Sequence, residues 1–273
     1  ASSGVFIDGQ VLGQRLAEVY DAWQSEGSES SGFGNGSRKA DALVIATGKT
    51  TEDLRYMKSI ALELWLFAYE LPETVIVLLR DGQAHVVTGK TKAALISQCK
   101  DECVAKSKGK VSGLHIHIRP KGTTGEDQFK QVLEEAKKAK QEEGDLVVGN
   151  LPKDKHEGIF FGKWSEVLSS CDGASTFDAS PGFAKVLTCK SSEEQTSVKK
   201  ASYLATQAMR AFVVPQLETI VDEEKKVKHS TLAGQIEDRI LEPSKLEVRL
   251  KQDKVNICYA PIIQSGGKYD LKI

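Results

Sequence analysis

What is missing from this sequence narrows its class before any motif is considered. No stretch approaches the roughly 20 consecutive apolar residues that a membrane-crossing helix needs; the longest runs resemble TVIVLL, residues 74–79. No membrane partner is therefore expected. The opening residues ASSGVFIDGQ lack the basic start and apolar stretch of a secretory leader. Paired cysteine spacing is also absent: Cys99, Cys103, Cys171, Cys189 and Cys258 are scattered and odd in number, which points to a reducing compartment, cytosol or nucleus. Charge of one sign is not in excess, since 37 basic residues face 38 acidic ones for a net charge of −1. That balance speaks against a duplex-DNA-binding field and against an acidic tail, so direct, sequence-specific DNA binding is not expected. Metal-ligand spacing is lacking too. His115 and His117 alternate on what reads as a strand and face the same side, but His85, His156 and His229 carry no ligand spacing around them.

The remaining sequence is that of a globular chain, 40% hydrophobic and 27% charged over 273 residues. Asp8 is placed to cap a helix in which Leu12, Leu16, Val19, Tyr20 and Trp23 recur at helical spacing. The Gly/Ser-rich residues 25–37 follow; their GFGNG comes after a helix rather than a strand, so a mobile surface insertion is expected and not a phosphate-cradling loop. ADALVIATG reads as a buried strand, and SIALELWLFAYE as a helix with Ile60, Leu64 and Phe67 on its buried face. TVIVLLRDGQAHVVTG is a hairpin turned at Asp81-Gly82. A helix over about 90–103, the strand LHIHIRP, a helix over about 126–141, the strand DLVVGN and a helix over about 163–168 complete an α/β domain with a mixed sheet.

The texture changes over about 175–190. A long amphipathic helix then follows, with Val198, Ala201, Ala205, Ala208 and Phe212 on its buried face and Pro215 at its end. A second helix, capped by Ser230, carries Leu232, Ile236 and Ile240. These features place the division between two domains at about residue 180, giving residues 1–180 and 181–273. The final KYDLKI alternates as a strand, with an edge open to self-association or to an extended peptide.

Three blocks, LELWLFAYELPETVIVL, KVKHSTLAGQIED and YAPIIQSGGKYDLK, closely resemble stretches of the N-terminal domain in the large subunit of FACT, the nuclear histone chaperone complex. Their order and spacing match along almost the whole chain. That domain is similar to the pita-bread metallopeptidases: aminopeptidase P, prolidase and creatinase. The resemblance implies a creatinase/prolidase-like N-terminal lobe followed by the opening helices and first strand of an incomplete pita-bread lobe. In the peptidases an SGG-like strand precedes the strands that present two aspartates, a histidine and two glutamates to paired metals, all downstream of this chain. Asp270 is the one carboxylate in the terminal strand, too few for a dinuclear site.

The resemblance therefore implies binding rather than hydrolysis, with no catalytic, cofactor-binding or metal-ligating residue assigned. It implies core histones and their tails as partners, a nuclear, chromosomal location, and roles in transcription, replication and repair. The smaller HMG-box subunit would be reached through segments outside this chain. An alternative is a general platform for replication or transcription proteins; a metallopeptidase is the third. A receptor for basic tails needs carboxylates beside a groove or a free strand edge. Candidate acidic pairs are Glu134 and Glu135, Glu142 and Glu143, Glu193 and Glu194, and the run Asp222–Glu224. The binding residues themselves are left unassigned.

Overall fold

The computed structural model describes residues 6–25, 32–35, 38–50 and 57–266. The expected strand KYDLKI lies outside the described residues. The chain divides into two compact units, residues 1–189 and 190–273.

The first unit is built on a six-stranded mixed sheet. Its strands are β3 (Ala42–Ala46), β4 (Val75–Leu79), β5 (Gln83–Gly89), β6 (Gly113–Arg119), β7 (Leu146–Asn150) and β8 (Ala174–Asp178), in the order β6-β5-β4-β3-β7-β8. A separate short ribbon pairs β1 (Gly34–Asn35) with β2 (Arg38–Lys39). The strands β3, β4 and β5 are antiparallel, while β6, β7 and β8 join in parallel. At the β4–β5 turn Gly82 has φ +89°, a conformation that costs glycine nothing and other residues strain.

The central strands are apolar at every position because both faces of the sheet are covered. Their side chains alternate between two cores. Leu43, Ile45, Ile76, Leu78, Ala84 and Val86 face one layer; Ala42, Val44, Val75, Val77, Leu79 and Val87 face the other. The first face is covered by α1 (Gly9–Gln24), α2 (Lys58–Phe67) and α7 (Ser180–Thr188). The second is covered by α5 (Glu126–Ala139) and α6 (Ile159–Ser169), where Phe129 meets Phe160 and Trp164 edge to face at 5.0 and 5.3 Å. The start of α1 is fixed as its sequence suggests: the Val11 amide donates to Asp8 Oδ1 at 3.0 Å.

Several expectations are corrected. The single helix over 90–103 is two, α3 (Lys90–Ser97) and α4 (Lys100–Lys106), because Cys99 leaves helical geometry at φ −104°, ψ 1°. Of the expected face of α2, Ile60 and Phe67 are buried but Leu64 is 40% exposed, and Leu62, Trp65 and Leu66 are buried as well. The helix expected over 163–168 begins four residues earlier, at Ile159. The strand β8 was not anticipated, since ASTFD is half-exposed and carries no apolar run.

Phe33, inside the segment read as a surface insertion, is fully buried against Phe183 with ring centroids 5.0 Å apart. Gly182 makes this possible, because a Cβ there would lie 2.5 Å from the Phe33 ring. Phe183 also ties α7 into the first core. The division between units accordingly falls after Cys189, beyond α7, rather than at about 180.

The second unit contains α8 (Ser192–Ala208), a π turn (Met209–Val213), α9 (Val214–Asp222), α10 (His229–Leu241) and two short 3₁₀ turns, Pro243–Leu246 and Gln252–Lys254. Here too the expected faces are revised. Val198 is 57% exposed, Ala201 and Ala205 are exposed, and the buried residues of α8 are Leu204 and Ala208. Pro215 does not end the helix. The Val214 amide bonds back five residues to Met209, and this widened turn accommodates the ring as α9 begins. The α10 N-cap is Lys228, without a side-chain cap, rather than Ser230.

Candidate interaction surfaces

The carboxylates singled out by sequence are largely engaged locally. On α5, Glu134 pairs with Lys137 at 3.0 Å and Glu135 with Lys138 at 2.9 Å, each one turn away. Glu142 bridges Arg80 at 2.8 Å and Arg38 at 3.5 Å, and its carboxyl titrates below the usual range because Arg80 donates to it. Glu143 beside it is exposed. Glu194 closes a capping box at the start of α8: its amide donates to Ser191 Oγ at 3.2 Å, and its carboxylate accepts from the Ser191 amide at 2.8 Å. Glu193 accepts from the hydroxyls of Ser191 and Ser192. At the end of α9, Glu223 pairs with Lys225 at 2.6 Å. Surface pairs of this kind contribute about 0–1 kcal/mol each and leave little local charge.

The histidines are brought together in a way that spacing did not reveal. Parallel pairing sets His85 on β5 opposite His115 on β6. The His85 ring stacks on His115 at 4.8 Å and on His117 at 5.3 Å, and its Nδ1 shares a hydrogen bond with His117 Nε2 at 3.0 Å. Burial, followed by the adjacent rings, lowers the His85 pKa to about 4. The His117 pKa is lowered as well, again first by burial. Among the described residues no group of three or more His, Cys, Asp or Glu side chains is arranged to hold a metal ion. The three rings form a stacked polar patch on the α5 side of the sheet, and only the β5/β6 register discloses it.

Two further buried polar groups were not singled out by sequence. Ser59 Oγ and His156 Nε2 lie 2.7 Å apart, and the Ser59 amide donates to Asp154 Oδ2 at 2.6 Å. Both side chains are buried, so the pair ties the first turn of α2 to the loop after β7 rather than facing a cavity. Glu63, on the same helix, accepts from the Leu71 amide at 2.8 Å and from the Thr47 hydroxyl at 3.2 Å. Burial outweighs these bonds and raises its pKa to about 7.

In the second unit a cleft of about 690 Å³ opens between α8 and residues 249–256. Its floor is apolar, from Ala201, Leu204, Ala205, Ile240, Leu250 and Val255. Its rim carries Lys200, Arg249, Lys251 and Lys254, and no carboxylate lines it. Sequence inspection was directed at acidic runs; this cationic feature is assembled from residues about 50 positions apart.

Comparison with known proteins gives this geometry a family. Residues 7–182 match the family described as the FACT complex subunit SPT16 N-terminal lobe domain. The FACT complex subunit SPT16 of Oryza sativa subsp. japonica is 40% identical over 259 residues, covering 95% of this chain and 23% of the rice protein. That of Zea mays is 38% identical over 273 residues, covering 99% of this chain and 24% of the maize protein. The chain thus spans about a quarter of the length of these relatives. Among solved structures, the N-terminal domain of FACT complex subunit SPT16 from Cicer arietinum superposes with a TM-score of 0.83 at 34% identity, over 97% of this chain and 58% of that one. The dipeptidase PepE from Mycobacterium ulcerans, at 14% identity, shares the fold alone, with a TM-score of 0.52 over 87% of this chain and 51% of that one. The mixed α/β fold is therefore peptidase-like, and the chain belongs to the family of FACT complex subunit SPT16 N-terminal lobe domains.

Proposed function

We propose that this chain is a non-catalytic histone-binding module of a nuclear FACT histone chaperone, acting on chromatin where nucleosomes are reorganised during transcription, replication and repair. The match of residues 7–182 to the SPT16 N-terminal lobe carries this reading. Core histones and their basic tails are the proposed partners. The HMG-box subunit of the complex would be engaged by parts of the protein outside this chain. Because Glu134, Glu135 and Glu142 are already paired with lysines and arginines, attraction for a basic tail would come from diffuse surface charge and not from one acidic pocket. Such attraction is screened over about 8–10 Å at physiological salt. Pull-down of the folded chain with each core histone at two salt concentrations tests it: binding at low salt that falls steeply at high salt is expected, and no capture of any histone at low salt overturns it.

One observation favours a second reading, a platform for replication or transcription proteins. The cationic, apolar-floored cleft is the wrong sign for a histone tail and the right sign for an acidic partner.

A further inference from the structure

We infer that β6 is a self-association edge, along which two copies of this chain join their sheets antiparallel about a two-fold axis at Ile116. The edge belongs to the first unit and lies within residues 7–182, the span matched to the lobe family. β6 pairs with β5 over its whole length, from Gly113 opposite Gln83 to Arg119 opposite Gly89, and no strand follows it on the other side in the sheet order. Among the described residues, no backbone hydrogen bond outside that ladder reaches residues 113–119. Such an edge presents a row of free N–H and C=O groups, and proteins usually guard it with a bulge, a proline, a central charge or brevity. β6 has none of these: its register is unbroken, Pro120 comes after its last residue, and its one charge is the terminal Arg119. Arg119 is held inside its own copy, by Glu73 at 2.9 Å and over the Phe160 ring at 4.9 Å.

Two features select a second copy as the occupant. The first is that LHIHI has the same pattern in both directions: apolar, His, Ile, His, apolar. Antiparallel pairing about Ile116 sets Ile116 against the partner's Ile116, His115 against the partner's His117, and Leu114 against the partner's Ile118. Like therefore meets like on each face of the joined sheet. Ile118, 51% exposed, gains an apolar neighbour, and the histidine stack on the α5 side runs on across the junction. Strand β8 at the opposite edge lacks this property, since pairing about Thr176 would set Ala174 against Asp178 and Ser175 against Phe177. The second feature is charge. The Ser112 hydroxyl donates to the Asp81 carbonyl at 3.3 Å, so these two residues lie together. The same register carries Lys121 past the partner's Ser112 and hence towards the partner's Asp81. Lys121 and Asp81 are both exposed, and neither forms an ion pair among the described residues. The two-fold axis makes that pairing twice. A junction of one strand pair and few side chains is small, so the dimer is weak and exchanges with monomer. The inference is independent of histone binding.

The test is sedimentation velocity of the whole 273-residue chain from about 5 to about 300 µM, with amide hydrogen exchange at both ends of that range. A concentration-dependent equilibrium between monomer and dimer is expected, with protection of the 113–119 amides rising as the dimer forms. His115→Lys with Ile118→Lys, both at exposed positions, lowers the association constant at least about tenfold. Lys121→Glu weakens association several-fold, Asp81→Lys does the same, and the two together restore it. Thr176→Lys, on β8, leaves it unchanged; circular dichroism and melting temperature confirm that each variant is folded. Four outcomes overturn the inference. These are a monomer throughout the range, a dimer that the double-lysine variant retains, a dimer that Thr176→Lys dissociates, or charge reversals that fail to restore association when combined.

Discussion

The two units of this chain use apolar residues in contrasting ways. In the first, two continuous cores sandwich a sheet whose central strand β4 is buried at every position and whose neighbour β3 is buried at all but its last. In the second, helices enclose two small clusters, Leu204, Ala208, Leu246 and Val248 in one and Val213, Leu232 and Ile236 in the other. Phe212, Ile220, Ile240, Leu250, Val255 and Ile263 pack against these clusters partly buried, while Val198, Tyr203, Met209 and Ile262 are exposed. α9 buries none of its residues, and its Val221 is 72% exposed. A sheet covered on both faces gives each side chain neighbours on several sides, whereas a few helices offer each apolar stripe one partner at most. The contrast locates most of the buried apolar core in the first unit.

The largest test of that contrast is removal of a central ring. Phe129→Ala deletes the side chain between Phe160 and Trp164 and is expected to cost about 3–5 kcal/mol in urea unfolding of the first unit. Leu204→Ala, in a cluster of four buried residues, is expected to cost about 2 kcal/mol and to act on the second unit alone. Hydrogen exchange resolved by residue measures both; equal losses across the chain would abolish the distinction. The same experiment on the unaltered protein should show residues 190–266 exchanging ahead of the sheet.

Titration sharpens the comparison, because the buried ionisable groups of the first unit oppose one another. Glu63 has its pKa raised from 4.5 to about 7, so the fold favours its protonated form. Its contribution is complete below pH 4.5 and is lost as pH rises through 7. Glu63→Gln keeps the acceptor for the Leu71 amide and is expected to stabilise the protein at pH 8 by on the order of 2 kcal/mol, with little change below pH 4.5. His85 has its pKa lowered from 6.5 to about 4, so the fold favours its neutral form. Its contribution is complete above pH 6.5 and disappears as pH falls through 4. In the Glu63→Gln background, replacing His85 by Gln should therefore flatten the decline between pH 6.5 and 4, which thermal melts across that range measure. The smallest effect belongs to the surface: Lys138→Ala, breaking an exposed pair with Glu135, is expected to leave the urea-unfolding midpoint unchanged.

Much of the first unit was legible in the sequence because its elements carry their own signals. Asp8 announces a helix start, Asp81-Gly82 a hairpin, and LVIA beside VIVLL a pair of buried strands. What stayed hidden depends on distant residues. Phe33 sits in a Gly/Ser-rich segment that reads as solvent-facing, and only Phe183 and Gly182, some 150 positions away, make it a core residue. β8 is polar and is a strand by virtue of β7 beside it. The acidic runs were conspicuous as letters, yet Glu134, Glu135, Glu142 and Glu223 are matched by lysines and arginines in space and Glu193 and Glu194 by the serines of a helix start. Conversely, no single segment contains the basic rim of the cleft, so composition by window passes over it. The histidine stack likewise exists only through strand register, with His85 and His117 separated by 32 positions.

The π turn at Met209–Val213 has a consequence for how the second unit tolerates change in length. Each residue of an ordinary helix advances the side chains by about 100°, and a turn that bonds back five residues instead of four adds one residue to the winding without adding a turn. The rod from Ser192 to Asp222 therefore carries two phases, one directing Leu204 and Ala208 to Leu246 and Val248, the other directing Val213 to Leu232 and Ile236. Deleting one residue within 209–213 would restore a single phase and set the Pro215 ring against the carbonyl four residues before it. The bulge is thus a phase shifter, and its length of five residues is the quantity that the pairing of the two clusters holds fixed.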